Sequence, residues 1–200
     1  MALTVGRPVW SQALGASLVC PEMPVHADAL VIENLDPQYL VFERAALLQR
    51  QGSGGRAFVA TSASFDADRP NRVAAGIVGV MADVARLRDL DIVPVQYVEP
   101  ISLNVAYEVK RRLASHDGVR TVAVMAPALR SMRSLLIYQA VFRSSGIHVQ
   151  CVPVTGRPSV SEWDSTWHGI QEVVLQFAKL QYYRWYVLPF RMSDGSEFED

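Results

Sequence analysis

Apolar residues recur along this chain in two alternating rhythms. Ala29 to Ile32 is a short continuous apolar run, which Glu33-Asn34-Leu35-Asp36-Pro37 breaks, and this predicts a strand followed by a helix start. Asp36 is placed to cap free N–H groups and Pro37 to take the first helical position, where its missing donor costs nothing. Leu40, Val41, Arg44, Ala45, Leu47 and Leu48 then recur at helical spacing as far as Gly52. The unit repeats. Residues 56–61 read as a second strand, and the polar loop "SASFDADRPN" leads to a helix carrying Val73, Ile77, Val80, Met81, Val84 and Leu87. Residues 92–98 form a third strand, interrupted by Pro94, and "EPISLNVAYEVKRRL" supplies a polar turn and the next helix. "RTVAVMA" is a fourth strand, after which Pro127 opens a helix running to about Ser145 and stopped by Gly146. "IHVQCVPV" is a fifth, followed by a long final helix, "STWHGIQEVVLQFAKLQYYRWYVL".

Short apolar strands alternating with helices predict an α/β fold of about five mostly parallel strands with helices on both faces, because right-handed crossovers place them there. In such doubly wound sheets ligands bind beyond the carboxyl ends of the strands. The polar residues just after each strand are therefore the ones to weigh.

The turn after the third strand holds Glu99, Ser102 and Asn104. Ser102 and Asn104 are residue types that cap helices; the other reading is a wall of a binding site. Glu99, in an apolar "VPVQYVEP" context, needs a partner if buried, and an arginine from the next loop would serve. In "APALRSMRS", Arg130 and Arg133 sit three apart near a helix N-terminus, where cations oppose the helix dipole. An anion, phosphate or carboxylate, held between the guanidinium forks and free backbone N–H groups would resolve that opposition. The alternative is that both arginines reach to solvent or pair with nearby carboxylates. Arg44, on an otherwise apolar helix face, and Glu33 with Asp36 after the first strand complete the candidate rim.

Composition removes several classes. Nineteen Lys plus Arg against twenty Asp plus Glu leave a net charge of -1, so no global field favours nucleic acid or an anionic bilayer. No glycine fingerprint of the dinucleotide or P-loop type follows a strand, no GxSxG elbow supports hydrolase chemistry of that kind, and the four histidines have no ligand spacing, so ordinary dinucleotide binding and a metal site are not indicated and the cofactor is unknown. Cys20 and Cys151 lie outside any CxxC spacing and read as buried free thiols. The apolar run Ala13 to Cys20 is far short of the roughly 20 residues that span a bilayer, which points to a cytoplasmic protein or one peripheral to a membrane. Trp163, Trp167 and the run Tyr182-Tyr183-Arg184-Trp185-Tyr186 read as helix-packing residues, with contact to a membrane surface or to a partner chain as the other use of such a helix. The expected organisation is an N-terminal arm over 1–26, one domain over 27–188 and an acidic tail over 189–200; oligomeric state is not legible.

The order of "ADALVI", Arg44, "EPISLN", "VAVMAPALRSMRS" and "KLQYYR", from about Ala27 to Tyr183, resembles the SanA/ElyC/YdcF family of envelope-associated domains. The resemblance implies a Rossmann-like domain with a polar site, tied in several members to cell-envelope or lipid-carrier metabolism. It implies site positions at Glu99, Ser102, Asn104 and Arg133, with Arg44 and Asp28 as further matches. The pattern departs where Asn34-Leu35-Asp36 stand for a glycine-rich turn, where Val105 and Tyr107 replace Thr and Glu, and where Arg130 replaces a histidine, the family's most plausible general acid/base. Two functions follow as expectations: a domain, catalytic or not, that binds an anionic small molecule, or a scaffold that keeps the fold and binds a partner.

Overall fold

In the computed structural model, residues 3–33, 38–64, 69–116, 118–156 and 160–191 are described. The elements run α1 (Leu3–Ser17), β1 (Ala27–Glu33), α2 (Tyr39–Arg50), β2 (Gly54–Ser62), α3 (Arg72–Ala85), β3 (Leu90–Val95), α4 (Ile101–Ala114), β4 (Thr121–Pro127), α5 (Ala128–Phe142) and β5 (His148–Val154). A 3-10 turn (Trp163–Ser165), α6 (Trp167–Tyr182), a π-helical turn (Tyr183–Val187) and α7 (Leu188–Arg191) follow. The five strands are all parallel, in the order β3-β2-β1-β4-β5, which is a Rossmann-like winding.

Strand parity sorts the side chains onto two faces. Ala29 and Val31 of β1, Phe58 and Ala60 of β2, and Val122 and Val124 of β4 pack with Leu103, Val109, Ile137 and Val141 under α4 and α5. Their neighbours Leu30, Ile32, Ala57, Val59, Ala123 and Met125 pack with Phe42, Ala45, Val78 and Ala82 under α2 and α3. A third cluster, Leu18, Trp163, Val173 and Leu180, joins α1 and α6 to the outer side of α5 through Leu129, Met132 and Leu136. Thr166 caps α6 by accepting from Gly169 N at 3.1 Å, and a Cβ on Gly169 would meet Trp163 O at 2.0 Å, so only glycine lets α6 seat here.

Pro127 opens α5 as its N-cap residue. The Asp36–Pro37 helix start lies outside the described residues, and α2 begins at Tyr39 with no side-chain cap on Gln38. The expectation for the cysteines is overturned. Cys20 and Cys151 are not free thiols: they form a disulfide with Cα atoms 6.4 Å apart, although 131 residues separate them. Spacing motifs register only local pairs, whereas here the segment before β1 is carried across the sheet to β5. Cys20 N also donates to Ser131 Oγ at 2.9 Å, fastening the same segment to α5.

Candidate functional site

The strand order reverses between β1 and β4, and the crevice beyond their carboxyl ends is where this winding places ligands. Glu33 is the last residue of β1. Its parity with Ala29 and Val31 sends its side chain to the α5 side, where Ser134 Oγ donates to its Oε2 at 3.0 Å. Its other oxygen, Oε1, is sealed from solvent and accepts no hydrogen bond. Burial pushes the Glu33 carboxyl up from its ordinary value, with Arg133 and Ser134 opposing the shift. The Tyr138 hydroxyl, one turn beyond Ser134 on the same face of α5, is buried close enough to this carboxyl for the two groups to shift each other's titration, although no well-aligned hydrogen bond joins them. Burial together with the Glu33 charge holds the Tyr138 phenol well above its usual range.

Arg133 faces the same region. Burial lowers its pKa while Glu33 and Tyr183 pull it back up, and its Nε is buried with no acceptor. Its Cζ lies 5.7 Å from the centre of the Tyr183 ring, a cation–π placement. Arg133 and Glu33 therefore feel each other's charge, yet no salt bridge closes between them. Tyr183 opens the π-helical turn, a distortion often found at functional positions. Its hydroxyl accepts from Ser102 N at 3.2 Å, which ties the final helix to the head of α4. Burial raises the Tyr183 pKa, and the contacts with Ser102 oppose that.

Arg130 is engaged differently: its Nε pairs with Glu172 Oε1 of α6 at 3.4 Å, and Gln176 Nε2 donates to the same oxygen at 3.0 Å. One of the two arginines thus takes the carboxylate alternative. Gln176 is itself buried, with its Oε1 unpartnered.

The turn after β3 is a helix start. Glu99 is exposed and accepts from Ile101 N at 3.2 Å, so its carboxylate is satisfied by an end-of-helix amide and needs no arginine. Asn104 donates from Nδ2 to Gln96 O at 2.8 Å, and Ser102 reaches the site through its backbone. Glu99 remains near enough to influence Tyr183. Arg44 is elsewhere: it sits on α2, on the opposite face of the sheet from α5, pairs with Glu22 at 3.5 Å, and lies between two open grooves of about 460 and 640 Å³. Asp28 is five residues before Glu33, about 17 Å along β1 at the other end of the sheet. There it accepts from Arg120 N and Thr121 N at 2.9 and 2.8 Å, and those bonds hold its pKa below the usual carboxylate value.

The structure therefore gathers Glu33, Arg133 and the Ser102 amide with Ser134, Tyr138, Tyr183, Glu172 and Gln176, and leaves Arg44 and Asp28 outside. Ser134 and Tyr138 carried a readable signal, being polar groups four apart inside the apolar run "SLLIYQAVF" and in register with Arg130. Tyr183 and Gln176 had none, since the aromatic and amphipathic pattern of the last helix does not say which side faces α5. Of the aromatic residues read as packing groups, Trp163 and Tyr183 are buried, but Trp167, Tyr182, Trp185 and Tyr186 are exposed. No group of three or more His, Cys, Asp or Glu able to hold a metal occurs among the described residues, and no described helix is long and apolar enough to cross a membrane. Comparison with known families and with characterised proteins returns no match for this chain.

Proposed function

We propose that this protein binds a small molecule carrying a carboxylate or phosphate in the crevice beyond β1 and β4, with Arg133 as the cation that receives it. The observation behind this reading is the pair of half-buried, oppositely charged side chains, Arg133 and Glu33, in which the Arg133 Nε and Glu33 Oε1 atoms are sealed from solvent without a well-formed hydrogen bond and no salt bridge joins the two. Atoms buried in that state cost stability that the described contacts with Ser134 and Tyr183 offset only in part, and a ligand would satisfy both. The N-terminus of α5 has no side-chain cap, so its amides and dipole add to the pull on an anion. Glu33, with its pKa raised, would take a hydroxyl or amine of the ligand and could carry a proton, with Tyr138 behind it. Arg130, paired with Glu172, orders α6 against α5 and stands at the edge of this clamp.

The resemblance to the SanA/ElyC/YdcF family would place the ligand among envelope precursors such as isoprenyl phosphates or sugar nucleotides. The Cys20–Cys151 disulfide supports an oxidising compartment, which agrees with that assignment. A scaffold that binds a partner is the second reading, favoured by the apolar side chains left exposed on α3 and on the last helices.

A thermal-shift screen against orthophosphate, pyrophosphate, nucleotides, sugar nucleotides and isoprenyl phosphates tests the first reading. A ligand at about 100 times its dissociation constant adds roughly 2.7 kcal/mol, and Arg133→Ala should abolish that gain. A flat screen, or a shift that survives Arg133→Ala, removes this site from consideration.

A further inference from the structure

We propose that the outer face of α3 is a self-association surface, pairing antiparallel with α3 of a second copy across a two-fold axis. α3 is held on the sheet by Val78, Ala82 and Ala85. Its opposite side carries Val73, Ile77, Val80 and Val84, which are 72, 42, 64 and 64% exposed and form one narrow stripe. An exposed row of β-branched residues on a capped helix is costly unless something covers it.

The order of the stripe identifies the occupant. Its intervals are four, three and four residues, the same read in either direction. An antiparallel copy centred between Ile77 and Val80 therefore sets Val73 against the partner's Val84 and Ile77 against the partner's Val80, which is the self-complementarity a two-fold interface requires. The charges agree. Arg72 and Asp83 lie on one flank of α3, both exposed, and neither closes an ion pair among the described residues. In the antiparallel register Arg72 falls within about 3 Å, measured along the axis, of the partner's Asp83, and symmetry makes this contact twice. A parallel pairing would instead set this flank against the opposite one, which carries Ala74 and Met81, and would leave both charges without a partner. Gly76 and Gly79 occupy the same flank, and a Cβ added at either would meet nothing within 4 Å, so the two backbones can approach closely. Beside Val84 the stripe borders the open groove lined by Leu40, Leu47 and Val84 between α2 and α3, which enlarges the contact. A lipid surface is the poorer occupant, because the flank carries one charge of each sign where a membrane-binding helix would carry cations and aromatics. One helix pair falls at the small end of specific interfaces, below roughly 1,200 Å² in total, so the dimer is reversible and concentration-dependent.

Sedimentation velocity over a dilution series of the full chain tests this. The expected result is a monomer–dimer shift that disappears in Val80→Glu, with an unchanged melting profile because that position is exposed. Arg72→Asp and Asp83→Arg should each weaken association several-fold, and the two reversals combined should restore it, since each copy then again meets opposite charge. The proposal is overturned by a monomer at every concentration, by a dimer indifferent to Val80→Glu, or by a double reversal no tighter than the single ones. Capture of the monomer by anionic lipid vesicles through the same stripe would likewise overturn it in favour of a membrane.

Discussion

α5 and α3 flank the same sheet and invert each other. α5 turns Arg133, Ser131, Ser134 and Tyr138 toward the interior, whereas α3 turns Val73, Ile77, Val80 and Val84 toward solvent. Neither choice is favoured by burial alone, since one encloses polar atoms without partners and the other leaves apolar surface wet. The difference teaches that the two helices carry opposite costs, unpartnered polar atoms at α5 and wet apolar surface at α3, and the proposed ligand and the proposed second copy would each relieve one of them. α5 is also fastened to its surroundings by the disulfide beside it and by the Cys20 amide on Ser131, while α3 is held by its sheet-facing residues and the Asn71 cap.

The largest expected effect comes from cutting the fastening on the α5 side. Replacing both Cys20 and Cys151 by alanine should cost about 2–5 kcal/mol in denaturant unfolding under oxidising conditions. Hydrogen exchange should then show protection lost in α1 and the first turns of α5 and retained in α3. Equal loss in both helices would erase the contrast between a tethered and an untethered layer.

Next comes the cost of the polar interior. Glu33→Gln combined with Arg133→Met should raise stability by about 1–3 kcal/mol in the same assay while abolishing anion binding, because a buried charged pair of imperfect geometry is replaced by neutral groups of similar size. A destabilised double variant would show that the two charges hold the fold together, and the binding reading would lose its main support.

A smaller effect separates the two carboxylates of β1 by pH. Glu33 has a raised folded-state pKa, so its contribution is fully present below the unfolded value of about 4.3 and is lost as pH rises through the folded value. Asp28 has a lowered one, so its contribution is present above the unfolded value of about 3.9 and is lost as pH falls through the folded value. In stability measured from pH 2 to 8, Glu33→Gln should flatten the decline on the rising side, and Asp28→Asn should flatten the decline toward acid. An unchanged rising side in Glu33→Gln would mean that its carboxyl is not desolvated.

The smallest stability effect belongs to α3. Val80→Ser should alter unfolding free energy by no more than about 0.5 kcal/mol at concentrations where the chain is monomeric, since the side chain touches little inside its own copy. A loss above about 1.5 kcal/mol would place Val80 in the core and end the comparison with α5.

Much of the fold is legible in the apolar pattern of the chain. The period-2 and helical rhythms located five strands and the helices between them, and their alternation implied a parallel sheet covered on both faces. Strand order was open, because more than one winding satisfies the same alternation. At the site, Arg130 and Arg133 stood out as cations at a helix N-terminus, and Glu33 only as a polar residue just after its strand. Glu99 stood out as a carboxylate in an apolar context and Asn104 as a cap or a binding group, and both serve the local backbone, which a polar turn before a helix does not distinguish from a site.

What the sequence determined by itself is therefore local and periodic: which segments extend, which coil, and that Glu33 shares the parity of Ala29 and Val31 at the end of its strand. Tertiary structure decided which distant groups meet. It joined Cys20 to Cys151, set Tyr183 over Arg133, and turned the stripe of α3 away from the sheet. Periodicity defines a helix face without naming the surface it meets, and that surface is chosen only when packing the whole chain settles which faces can be buried together.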